Sequence, residues 1–176
     1  MKLKCDMRKL WEDHVMWTRV VIISVVGGLQ DTDAAVKRLM KNQEDIGNAI
    51  KPFYGESAGD GLIKLLKEHI EGAYAVLEAA KVNDQAKLDM ENKKWYANAD
   101  EISVFLSTAN PKNWPLDAVK HMMKMHLDLT LEEAVARLKG DWEADIKAYD
   151  KVHDEILEMS DAISDGILAQ FPEKFK

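Results

Sequence analysis

Apolar residues recur every three to four positions along almost the whole chain and no stretch shows sustained alternation, so the pattern predicts helices throughout and an all-α class. The stripe Leu3, Met7, Leu10, His14, Trp17, Val21, Val25 predicts a first helix, closed at Gly27-Gly28 where a left-handed cap is wanted. A second helix starts at Asp31 or Thr32 and carries Val36, Leu39, Ile46 and Ile50. It is expected to stop before Pro52, because the residue before a proline is pushed out of the α region. The stretch from Pro52 to Gly61 then reads as a connecting loop. A third helix carries Leu62, Leu66, His69, Ala73, Val76 and Ala80, and Asn83-Asp84 turns the chain into a fourth with Leu88, Trp95, Ala99, Ile102 and Leu106.

The run from Asn110 to Pro115 forces a break, and Pro115 suits the first turn of a fifth helix with Val119, Met122, Met123 and His126. That helix is expected to end quickly, since Thr130-Leu131-Glu132-Glu133 fits a capping box that would start another. The last stripe runs from Leu131 through Leu138, Trp142, Tyr149, His153 and Ile156 to Ile167, in phase across Gly140. Unbroken, it would be about 60 Å long at 1.5 Å per residue, so a bend or break near Gly140 is expected. Helices of this length with short connections predict an up-and-down bundle with a four-helix core and one or two shorter helices, in a single domain over 1–176. No internal repeat is evident in the sequence.

Composition narrows the class further. With 176 residues, nine Gly, four Pro and 47% hydrophobic content, disordered and collagen-like chains are excluded. A net charge of −7 argues against a nucleic-acid surface. The most apolar run, Val20 to Val26, is too short for a bilayer that needs about 20 residues, so no membrane span is expected. Charged residues interrupt any signal peptide near the N-terminus, which leaves a cytoplasmic setting where the single Cys5 stays reduced. Gly-rich phosphate loops, nucleophile elbows, C-x-x-C and H-E-x-x-H are absent from the sequence.

The five histidines add chemistry. Four of them, His14, His69, His126 and His153, fall on the apolar stripes of four helices, and only His121 falls off its stripe. Four imidazoles inside one bundle would form a transition-metal site, because bundle cores are where such sites are built and neutral imidazole is a common ligand. The competing reading makes each a core histidine with both nitrogens hydrogen-bonded. Asp150 lies three residues before His153, on the same helix face, and is a candidate ligand or the group that orients the ring. A site rich in imidazole suits zinc or iron better than magnesium or calcium. On the second and fourth helices, Asn42, Asp45, Asn98 and Asp100 are candidates to bind a cofactor or to orient the imidazoles. The run Met122-Met123-Lys124-Met125 and the five tryptophans read as core filling.

The strings Leu10-Trp-Glu-Asp-His-Val-Met-Trp-Thr-Arg19, Asn42-Gln-Glu-Asp-Ile-Gly-Asn-Ala-Ile50, Trp95-Tyr-Ala-Asn-Ala-Asp100 and Tyr149-Asp-Lys-Val-His153 resemble a family of small, uncharacterised bacterial and archaeal helical proteins. The chain is also distantly similar to ferritin-like metal-binding bundles, but it lacks the Glu-x-x-His pairs of their di-iron centres. The expected function is thus a metal-binding bundle, as an oxidoreductase, a hydrolase or a metal store. The alternative is a metal-free bundle for protein interaction or a small-molecule ligand, and a homodimer through an exposed apolar strip fits either.

Overall fold

The structure is a computed structural model and describes residues 2–175. It is about 90% helical and contains no strand among the described residues. Six helices follow one another: α1 (Lys2–Gly27), α2 (Thr32–Tyr54), α3 (Glu56–Lys81), α4 (Gln85–Ala109), α5 (Leu116–Lys139) and α6 (Trp142–Gln170), then a short 3₁₀ turn at Pro172–Phe175. Their lengths run from 23 to 29 residues, so none is a short accessory helix. Each helix packs on the next and α6 packs back on α1, which closes a ring; α1 also touches α3 and α5. No described helix is long and apolar enough to cross a membrane.

The ring is built from three hairpins, α1–α2, α3–α4 and α5–α6, and the same device ends the first helix of each. Gly28, Asn83 and Gly140 all have positive φ (63°, 56° and 72°). In each case the following amide reaches back five residues: Leu29 to Ser24 O at 2.9 Å, Asp84 to Ala79 O at 3.0 Å and Asp141 to Ala136 O at 3.0 Å. These are Schellman caps, which satisfy the last carbonyls of a helix and turn the chain sharply. Asp84 and Asp141 then cap the next helix by accepting from Lys87 N and Ala144 N.

Three expectations from the sequence are corrected. Pro52 lies inside α2, and the loop expected over 52–61 is reduced to Gly55 alone, whose φ of 86° turns the chain straight into α3. Near the C-terminus of a helix the proline sacrifices one backbone bond, and its effect on the preceding residue does not outweigh the packing of α2 on α3. That packing is close because a Cβ on Gly47 would lie 2.8 Å from Gly59 O, and one on Gly59 would lie 2.9 Å from Gly47 O. Thr130 does not begin a helix either. Its hydroxyl donates to His126 O at 2.8 Å within an unbroken α5, which ends only at Gly140.

The apolar interior divides into two clusters. The larger is centred on Met7, Trp11, Ile46, Leu66, Ile102, Leu127 and Ile156, the smaller on Val21, Ile22, Leu39, Ile70 and Leu77.

Candidate functional site

Where the two clusters meet, each hairpin contributes one buried histidine from its first helix. His14 (α1), His69 (α3) and His126 (α5) are only 3 to 5% exposed and line one small cavity of about 30 Å³, otherwise walled by apolar and aromatic side chains. The rings of His14 and His126 have centroids 5.6 Å apart. Trp11 meets His14 edge-on at 5.7 Å, and Trp95 lies against His69 at 5.3 Å.

Each ring is held at Nδ1 by a side chain of the second helix of its own hairpin, 29 residues further along in every case. His69 Nδ1 lies 2.9 Å from Asn98 Oδ1, and Asn98 in turn donates to Leu65 O at 3.1 Å. With its NH₂ so engaged, Asn98 can only accept from the ring, which places the proton on Nδ1 and a lone pair on Nε2. His126 Nδ1 lies 2.9 Å from Glu155 Oε2, an acceptor that selects the same tautomer in the neutral ring. His14 Nδ1 lies 3.3 Å from Gln43 Nε2. That amide nitrogen can only donate, so His14 Nδ1 accepts and the ring proton sits on Nε2. The two amide hydrogens are shared with Leu39 O and Asn42 Oδ1, and Asn42 donates to Leu10 O, so the first hairpin is tied by an amide chain.

Burial keeps the His14 and His69 rings neutral. The His14 ring is held well below the usual histidine range, first by desolvation and then by the neighbouring His126 and His69, against weaker support from Asn42 and Gln43. His69 is pushed down to about 3 by burial and by His126, opposed by its bond to Asn98. Two acceptors of the layer, Gln43 Oε1 and Glu155 Oε1, are buried with no hydrogen-bond partner among the described residues.

The remaining sequence candidates stand elsewhere. His153 is one-third exposed with Nε2 3.3 Å from Glu12 Oε1, and Asp150 is exposed beside it. Helix α6 packs on both α1 and α5, so its buried arc is broad; His153 falls on the edge facing α1, while Glu155 and Ile156 point inward. Asp45 pairs with Lys41 at 3.0 Å and the exposed Asp100 with Lys120 at 3.2 Å, both away from the imidazoles. Asn42 and Asn98 do belong to the layer. The sequence reading missed Gln43 and Glu155. Their signal is a repeated register: a histidine, a left-handed cap fourteen residues on, and an acceptor-bearing side chain 29 residues on, in each hairpin.

A second buried polar group lies on the α1–α5–α6 side. Arg19 Nη1 bonds Glu133 Oε1 at 2.6 Å and Asp145 Oδ1 at 2.9 Å, and Arg137 reaches Asp145 at 3.1 Å. Both acids are 1% exposed, and burial raises Glu133 to about 7 despite the opposing pull of Arg19.

As placed, no three His, Cys, Asp or Glu side chains among the described residues stand close enough to hold a metal ion. Comparison with protein-family models, with curated proteins and with solved structures finds no match for this chain.

Proposed function

We propose that His14, His69 and His126 form a transition-metal centre, for zinc or iron, at the junction of the three hairpins. The observation that supports this is that two buried imidazoles, His69 and His126, are held at Nδ1 by an oxygen acceptor, which leaves Nε2 as the remaining donor beside a cavity that His14 also lines. Metal-ligating histidines are held in this way, with the far ring nitrogen tied to a carbonyl or carboxylate. Two imidazoles on one tetrahedral ion, each bonded at about 2.0 to 2.1 Å, have ring centroids about 5 Å apart, near the 5.6 Å between His14 and His126. Ligation requires the three rings to close around the ion by side-chain rotation.

Three protein ligands leave a coordination position open, which suits activation of water or oxygen more than a closed structural site. Asn98 and Glu155 act as the orienting partners in this reading. Asp150 and His153 contribute no ligand.

Elemental analysis of protein purified without a histidine tag tests the reading. About one equivalent of metal is expected, falling sharply in His69→Ala, with Asn98→Ala weakening affinity by about 10- to 100-fold. Less than about a tenth of an equivalent, in protein that also fails to take up zinc or iron on reconstitution, overturns it.

A further inference from the structure

A second cavity, of about 280 Å³, opens on the other side of the histidine layer. Its walls are mostly apolar, with Val21, Ile22, Leu39, Ile70 and Leu77 from α1, α2 and α3 and Leu138 from α5. Thr18 and Thr130 also line it. Their hydroxyls donate to the carbonyls of His14 and His126 at 2.8 Å, so the cavity floor is one helical turn from two of the imidazoles. The polar residues of the lining are those threonines, Tyr74 on α3, and Asp89 and Asn92 on α4, and Asn92 Oδ1 is a buried acceptor without a partner among the described residues.

The remaining wall is loosely held. The first turns of α4, residues 85–94, contribute no buried residue; its anchors begin at Trp95 and continue through Ala99, Ile102 and Leu106. A segment with so few buried apolar contacts opens at low cost, which gives a ligand a route in without unfolding the bundle.

We propose that this cavity binds an uncharged, largely apolar small molecule of two-ring size bearing a hydroxyl group, which donates to the acceptors on α4. A dry cavity of about 150 Å³ accommodates benzene, so about twice that volume suits a bicyclic or medium-chain molecule. An anionic ligand would lose its hydration against apolar walls with no countercharge to replace it, and Asp89, the one acid of the lining, is solvent-exposed and already accepts from Gln85. The inference names the substrate class of the proposed metal centre and rests on that reading for its chemistry; binding itself needs no metal.

The test is calorimetric titration of 2-naphthol into metal-free protein, with 2-naphthalenesulfonate as the charged counterpart. A dissociation constant on the order of 100 μM is expected for about eleven heavy atoms, with the sulfonate at least about tenfold weaker. Ala134→Phe, which fills the cavity, is expected to weaken 2-naphthol at least about tenfold, and nuclear Overhauser contacts should join the naphthyl protons to the methyls of Ile22, Leu39 and Leu77. Should that variant not fold, the contacts in the wild-type protein decide. Absence of binding at about 1 mM, equal binding of the sulfonate, undiminished binding to folded Ala134→Phe, or contacts confined to other residues each overturn the inference. Metal analysis is separate: loss of the metal reading leaves binding to the metal-free protein expected, and failure of 2-naphthol binding leaves the metal reading standing.

Discussion

Two groups of buried polar side chains in the bundle are built differently. The histidine layer pairs three imidazoles, of which burial keeps His14 and His69 neutral, with two amides and one acid, each tether confined to its own hairpin. The Arg19 network pairs ionisable groups, Glu133 and Asp145 with Arg19 and Arg137, across α1, α5 and α6. Neutral groups need only hydrogen bonds when buried, so the layer can present open ring nitrogens to a cavity. Buried charges need every partner, so the network is closed and suits a structural role.

Removing one member of each should expose this contrast. The largest loss is expected for Arg19→Met, which strands Glu133 beside Asp145. A drop of about 3 to 5 kcal/mol in urea denaturation would follow from an uncompensated buried charge. His126→Leu and His69→Leu are expected to cost less, about 1 to 3 kcal/mol each, with His126 the worse because its removal leaves Glu155 wholly unpaired. The double variant His69→Leu with Asn98→Leu should recover part of the loss of the single His69 change, since no orphan acceptor then remains.

Acid separates the two regions by sign. His14 and His69 have lowered values in the folded state, so their neutral forms cost stability as pH falls below about 6.5, and for His69 this continues to about 3. Glu133 is raised to about 7, so it contributes stability below its ordinary value of about 4.5 that is lost as pH rises to 7. Between about 4.5 and 6.5 the two therefore oppose each other in metal-free protein. Glu133→Gln should uncover the histidine term as a steeper acid decline, up to about 1.4 kcal/mol per pH unit for each ring, measured by thermal unfolding across pH. Equal slopes in wild type and variant would remove the contrast. The smallest effect is expected at the surface, where Lys4→Ala breaks an exposed pair with Asp165 and should change stability by less than about 1 kcal/mol.

Much of this was legible where local chemistry is decisive. Gly27-Gly28 was legible as a left-handed cap and Asn83-Asp84 as a turn, while Gly140, expected only to bend or break a stripe, proves to be a cap as well; the apolar stripes placed three buried histidines correctly. Signals that depend on competition were misread. The Thr130 hydroxyl can cap a helix start or bond back to the preceding turn, and it takes His126 O; Glu133, its expected capping partner, turns to Arg19. His153 shares its stripe with core residues, yet a helix packed on two neighbours has an edge, and the stripe does not say which residue lies on it. The tethers were hidden because Gln43 and Glu155 are unremarkable alone and meaningful only through the shared offset of 29 residues.

That offset also orders events in time. Each tether closes a short loop within one hairpin, which is entropically cheap and fast, so every imidazole can be aimed before the hairpins meet. The pairing of His14 with His126 instead joins the first hairpin to the third, and forms only when the two meet. The tethers are thus properties of single hairpins, whereas the cavity is a property of all three together and exists only in the assembled bundle.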